Sequence, residues 1–181
     1  MTVRWIPNAV SLLRIALVVP VLLLILNGSY GAALLLFMIA GFSDGLDGYL
    51  AQRLDCQTRL GALLDPVADK LLVAGVFVTL TIIGLIPVWL TTIVILRDVV
   101  IFGGAVLYHY LIRPVEGEPS RISKLNTALE LLFLLFVLSR AAYAWPEPIS
   151  LTVLGAAMYV TVIISGVDYV LRWSNRAMKG A

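Results

Sequence analysis

The sequence predicts an all-α integral membrane protein: six transmembrane helices, both termini in the cytoplasm, and residues 1–181 forming a single membrane-embedded domain. Three observations predict it. The chain is 61% hydrophobic and 13% charged with a mean hydropathy of +1.00, against roughly 25% charged residues in soluble domains. Six apolar segments each approach the roughly 20 residues that a hydrocarbon core of about 30 Å requires. Arg and Lys collect at alternate connections between those segments.

The first span, about 7–27, ends at Asn27-Gly28-Ser29 and carries Asn8, Ser11 and Arg14 near its start. Another span follows directly, so a cleaved signal peptide is not expected. The second, about 31–54, begins with the run LLLFMIAGF but then carries Asp44 and Asp47 and closes on Arg53, before the turn. The third, about 59–84, holds Asp65, Pro66 and Asp69 before its apolar run LLVAGVFVTL, and Gly84 and Pro87 end it. The fourth, about 87–111, is interrupted by Arg97-Asp98 and has His109 near its interfacial end; Pro114 to Pro119 follow. The fifth, about 124–143, opens in SRISKLNT, contains Glu130 and stops before Pro146 and Pro148; the sixth, about 149–172, contains Asp168. A structural basic partner is the default expectation for both of these acids. Trp5, Tyr30, Trp89, Trp145 and Trp173 fall near span ends, where interfacial aromatics belong.

Arg4, Arg53, Arg59, Arg113, Arg121, Lys124, Arg172, Arg176 and Lys179 lie at one set of ends, whereas the turns NGSYG and GLIPVW carry no basic residue. The positive-inside rule therefore places the termini, the second turn and the fourth loop in the cytoplasm; Arg140 is the exception on the other side. Cys56 is the single cysteine, which excludes an internal disulfide or a Cys-based cluster within one chain. A net charge of +2 without a basic, aromatic-interleaved stripe argues against nucleic acid as a partner.

Against this background SDGLDGYLAQRLDCQTRLGALLDPVADK, residues 43–70, holds five carboxylates. Asp44 and Asp47 are i,i+3, and Asp65 and Asp69 are i,i+4, so each pair shares a helix face. Asp47 and Asp65 both lie roughly 9–10 Å below the intervening turn at 1.5 Å per residue. Asp55 lies in that turn and is expected to be solvated. An Asp at a helix centre costs about 2.5–3.5 kcal/mol on insertion scales, and four converging carboxylates add mutual repulsion. One or two divalent cations resolve this, and all-oxygen ligands favour Mg²⁺ or Mn²⁺. Gly45, Gly48, Ala51, Gly61 and Ala62 clear bulk beside the acids, either for tight helix packing or for a ligand. Pro66 removes a backbone donor, so a bend is expected there, and freed backbone at such depth needs protein or a wet cavity beside it. Metals in a cytoplasm-open pocket suit diphosphate chemistry, and an acceptor hydroxyl would also need a base.

The pattern Asp44-x2-Asp47-Gly48-x2-Ala51, followed by Gly61-x3-Asp65-x3-Asp69, resembles the signature of the CDP-alcohol phosphatidyltransferases. The resemblance implies six-helix membrane enzymes, commonly homodimers, that displace CMP from a CDP-linked lipid or alcohol. It implies that Asp44, Asp47 and Asp65 ligate metal, and that Asp69 lies near the metals and deprotonates the acceptor. The CDP-lipid, CDP-diacylglycerol, would be held by Asp44, Gly48, Ala51, Arg53, Gly61 and Asn8. Where the family usually has Arg directly after the Ala, this chain has Gln52, with Arg53 one place later and about 100° around the helix.

An acceptor's phosphate needs cations, and Arg14, Arg97, Arg121 and Lys124, with Asn126, are the candidate acceptor-binding residues. For Arg14 and Arg97 the alternative is snorkelling or a structural pair with an acid such as Asp98. ILRDVVI and ISKLNTALEL resemble the eukaryotic-type cardiolipin synthases, which implies phosphatidylglycerol as acceptor and cardiolipin as product. TRLGALLDPVADK equally resembles phosphatidylglycerophosphate synthases, which implies glycerol 3-phosphate. The first is the leading expectation, in a bacterial inner membrane with the active site facing the cytoplasm. A membrane prenyltransferase would carry two well-separated aspartate motifs. A metal-ion transporter would place its acids near the midplane with access to both sides.

Overall fold

A computed structural model describes the backbone of residues 6–41, 59–111 and 121–180, and the side-chain surroundings of residues 13–41, 67–104, 122–169 and 171. Six helices account for nearly all of it: α1 (Ile6–Leu26), α2 (Tyr30–Gly41), α3 (Arg59–Ile82), α4 (Val88–Leu111), α5 (Arg121–Tyr143) and α6 (Pro148–Gly180). No strand occurs among the described residues.

Helix ends follow local chemistry. Gly28 (φ +73°) and Gly84 (φ +79°) adopt the left-handed conformation after α1 and α3. At each the glycine amide donates three residues back, to Ile25 and Thr81, and the next amide donates five back, to Leu24 and Leu80. This Schellman arrangement satisfies the last carbonyls, and glycine adopts it without the Cβ penalty. Ser29 then accepts the first bond of α2, from Ala33, and serine is a favoured residue at such a start. After α5 the Arg140 Nη1 donates to the carbonyl of Pro146 at 2.6 Å. Arg140, the exception to the expected charge distribution, therefore ties down the loop after α5.

The chain divides into two compact units, one of residues 1–85 and 134–147, the other of residues 86–133 and 148–181. In the first, a Cβ on Gly75 of α3 would meet Leu22 of α1 at 3.3 Å. Together with a contact between Arg14 and Asp69, the pairs advance in the same direction along both helices, so α1 and α3 run parallel. Gly31, at the start of α2, lies against Tyr143 at the end of α5. In the second unit Trp89 meets Tyr159 edge-to-face and Arg97 meets Ser165, so α4 and α6 also run parallel. Gly155 of α6 approaches Phe133 of α5 while Thr161 approaches Asn126, which makes α5 and α6 antiparallel.

Burial follows one stripe per helix. On α4 it is Leu90, Val94 and Arg97; on α5 Ser123, Asn126, Glu130 and Phe133; on α6 Met158, Val162 and Ser165. The opposite faces expose large apolar side chains, among them Leu96, Val99 and Phe102 on α4 and Val153, Val160, Ile163 and Val167 on α6. Two helical stretches, Ile122–Tyr143 and Pro148–Tyr169, are long and apolar enough to cross a membrane; Leu13–Leu26 and Tyr30–Gly41 are shorter apolar helical stretches. Two boundaries differ from expectation: α5 begins at Arg121, not 124, and α6 continues to Gly180, beyond 172. Helix α3 continues through Pro66.

Candidate functional site

Of the four aspartates, Asp44 and Asp47 lie outside the described residues, as do Gly48, Ala51, Gln52 and Arg53. The backbone of α3 is continuous from Arg59 to Ile82, which puts Asp65 and Asp69 one turn apart on the same face. Asn8 and Gly61 lie within α1 and α3, and Arg121 is the first residue of α5.

Asp69 is where the site becomes concrete. Its Oδ1 accepts a 2.8 Å hydrogen bond from Arg14 Nη1. The two ends of this ion pair are in different surroundings: the Arg14 side chain is 2% exposed and that of Asp69 44%. Arg14 therefore does not snorkel; its cation is held inside the protein by a carboxylate that remains open. Nothing in the sequence joins two residues 55 positions apart, except their depth. At 1.5 Å per residue Arg14 lies about 12 Å along α1 and Asp69 about 15 Å along α3, and the helices are parallel.

The other buried polar groups form a network in the second unit. Arg97, 6% exposed, donates through Nη1 to Asp98 at 2.6 Å and through Nη2 to the hydroxyls of Ser123 on α5, at 2.7 Å, and Ser165 on α6, at 2.8 Å. Pairing with Asp98, the alternative to an exposed anion site, is thus realised, and one guanidinium links three helices. One turn along α5, the fully buried Asn126 donates to Glu130 Oε1 at 2.5 Å and receives the Thr161 hydroxyl at 2.9 Å; that hydroxyl is also 2.9 Å from the Met158 carbonyl. The Glu130 oxygen thus accepts from an amide. Of the expected acceptor residues, Arg97 and Asn126 engage other side chains of the unit, whereas Lys124 is exposed on α5.

Ser123, Thr161 and Ser165 were not among the expected site residues. Their signal was available: Ser123, Asn126 and Glu130 on α5, and Thr161, Ser165 and Asp168 on α6, recur at spacings of three and four, a polar stripe on otherwise apolar helices.

Among the described residues no group of three or more His, Cys, Asp or Glu side chains is arranged to hold a metal ion, and three of the expected ligands lie outside the side chains that are described. What is described fits a hard cation: Asp65 shares a helical face with Asp69 in the backbone of α3, and the Asp69 carboxylate offers accessible oxygen.

Described residues that are helical almost throughout, with lipid-compatible outer faces and two aspartates in the first half of α3, define a class of helical membrane-associated proteins. The sequence profile of the CDP-alcohol phosphatidyltransferases matches residues 4–167, across both compact units, and the chain belongs to that family. It is 33% identical over 180 residues to the rat protein named cardiolipin synthase (CMP-forming), covering 91% of this chain and 60% of that one. It is 34% identical over 173 residues to a probable phosphatidylglycerophosphate synthase of Mycobacterium tuberculosis, covering 91% and 79%. A Pseudomonas fluorescens CDP-diacylglycerol--glycerol-3-phosphate 3-phosphatidyltransferase is 49% identical over 79 residues, 41% of this chain and 40% of that one. The chain thus spans about 60% of the length of the animal cardiolipin synthases that it matches. None of these relatives is named as an ion transporter, and that alternative has no support.

Proposed function

We propose that the protein transfers the phosphatidyl group of CDP-diacylglycerol to the hydroxyl of a glycerol-containing acceptor, with release of CMP. The observation that carries this is the family match along 4–167. Phosphatidylglycerol is the proposed acceptor and cardiolipin the product, as the 33% identity to proteins named cardiolipin synthase over 91% of the chain suggests. Glycerol 3-phosphate is the second reading, favoured by the similarity to a phosphatidylglycerophosphate synthase over 79% of that protein.

Asp44, Asp47, Asp65 and Asp69 would hold two Mg²⁺ or Mn²⁺ ions, which neutralise diphosphate oxygens and stabilise the departing phosphate when bound. Asn8, Gly48, Ala51, Arg53 and Gly61 would receive the CDP-lipid. Asp69 takes the proton of the acceptor hydroxyl. The hydroxyl oxygen forms its bond to the lipid-side phosphorus as the bond from that phosphorus to the bridging oxygen breaks, and CMP leaves with the electron pair. The half-open carboxylate of Asp69 supports this role, because a base must come within about 2.6–3.2 Å of the proton that it accepts. Arg121 and Lys124 would attract the acceptor's phosphate, with Arg97 and Asn126 as the frame behind them.

Residues 1–181 would act as one membrane-embedded domain with six spans, an alternation supported by the parallel pairs α1/α3 and α4/α6 and the antiparallel α5/α6. A bacterial inner membrane, a cytoplasm-facing site and a homodimer complete the proposal. The test is an acceptor panel with purified protein, CDP-diacylglycerol and Mg²⁺ or Mn²⁺: phosphatidylglycerol, glycerol 3-phosphate, serine and inositol 1-phosphate. CMP release that EDTA abolishes, with cardiolipin formed only from phosphatidylglycerol, is expected. Phosphatidylglycerophosphate in its place selects the second reading, and no CMP release with any acceptor overturns both.

A further inference from the structure

We infer that Arg14 is a positioning residue for Asp69: its guanidinium fixes one oxygen of the carboxylate and does not itself receive the acceptor. The inference rests on the function proposed above for Asp69.

Burial is the first argument. An arginine that recognises an acceptor's phosphate must turn donors toward the space that the acceptor occupies, yet only 2% of the Arg14 side chain is exposed. One that serves as a membrane anchor carries its head to water, and this one does not. The guanidinium reaches instead from α1 to Asp69 Oδ1 on α3, at 2.8 Å.

The second argument is the asymmetry. A pair that only fastened two helices together would have no reason to leave one member accessible, whereas here the cation is enclosed and the carboxylate is 44% exposed. Carboxylates are planar, so anchoring Oδ1 restricts the second oxygen to the directions left by rotation about that anchor. An Asp without the anchor samples its side-chain rotamers, and a misdirected oxygen lies outside the reach a proton acceptor needs. The platform is fixed as well, since Leu22 and Gly75 bring the same two helices into close contact further along.

The full chain is compared with Arg14→Gln, Arg14→Lys, Asp69→Asn and the Arg14→Gln/Asp69→Asn double variant, reading kcat, acceptor KM and thermal midpoint. Loss of such a supporting partner typically lowers activity about 10–100-fold. That loss is expected in kcat for Arg14→Gln, with acceptor KM within about twofold of the parent. Arg14→Lys, which can still present one donor, should recover part of it. The double variant should turn over no more slowly than Asp69→Asn, because the step that Arg14 supports is already lost in that variant. A raised acceptor KM with kcat retained assigns Arg14 to the acceptor and overturns the inference; so do losses that multiply in the double variant.

If Arg14→Gln does not fold, Arg14→Lys carries the same distinction between kcat and KM. If the parent releases no CMP, the proposed function fails, and the pairing itself is still read from the thermal midpoints. Shifts that are not additive support the contact, and strictly additive shifts overturn it.

Discussion

Two buried arginines, one in each compact unit, are used in opposite ways. Arg14 is enclosed and its carboxylate partner is open; Arg97 is enclosed and so are the groups around it, with Asp98 17% exposed and Ser123 and Ser165 buried. A buried cation whose hydrogen bonds run to enclosed side chains of neighbouring helices fixes those helices in register, and removing it leaves stranded polar groups. One whose partner faces accessible space does that and also holds the partner in place for something else. Under the proposed function the difference separates groups that build the fold from groups that meet a ligand, although both arginines read alike as lone charges in apolar segments.

The largest effect that sharpens this contrast is expected at Asp69. Asp69→Asn keeps a carbonyl oxygen for Arg14 but removes the proposed proton acceptor, so turnover per folded protein should fall by about 10²–10⁴-fold, with a lowered thermal midpoint because the buried Arg14 cation loses its counter-charge. Near-normal turnover in this variant would break the assignment of the open carboxylate to chemistry. Arg97→Met should invert the pattern. Stripping the cation from a closed network costs about 3–5 kcal/mol, read as loss of folded protein in detergent at temperatures the parent withstands. A stable Arg97→Met protein with a raised acceptor KM would mean that Arg97 serves the acceptor, and that the two arginines are not opposites.

A smaller effect belongs to the next turn of the same network. Asn126→Leu removes the amide that joins Glu130 to Thr161 and leaves a buried carboxyl group and a hydroxyl with fewer partners. The expected cost is about 1–3 kcal/mol. Combining it with Thr161→Val should cost less than the two single changes added together, since both remove one contact. Additive losses would show that Asn126 and Thr161 are not energetically coupled.

How much of this was legible in the sequence differs by kind of feature. Helix positions were, because apolar runs of membrane length and the stops at Gly28 and Gly84 are local signals. Helix ends beyond the apolar runs were not: α6 goes on through Arg172, Trp173, Arg176 and Lys179 to Gly180. Hydropathy there measures the depth of a bilayer and not the persistence of hydrogen bonding, and no proline interrupts the segment. The shared face of Asp65 and Asp69 followed from spacing alone. The partner of Arg14 did not, because a contact across 55 positions depends on α1 and α3 running parallel at matched depth. Arg97 was half legible: Asp98 is its neighbour in sequence, whereas Ser123 and Ser165 come from two other helices.

The smallest expected effect tests the other end of the molecule. Gly28 and Gly84 close α1 and α3 at the ends that charge distribution assigns to the non-cytoplasmic side, and a Cβ at either would have open space around it. Only the backbone resists the change. Holding an L-residue at φ +73° or +79° costs roughly 1–2 kcal/mol, so Gly28→Ala and Gly84→Ala should each lower the thermal midpoint modestly. CMP release at saturating substrates should stay at the parent's level, because the open carboxylate lies about 20 Å back along α3 from its Gly84 end. A fall in turnover at Gly84→Ala without a matching loss of folded protein would mean that strain at the outer end reaches Asp69 along α3. The separation between structural and chemical ends of the helices would then fail.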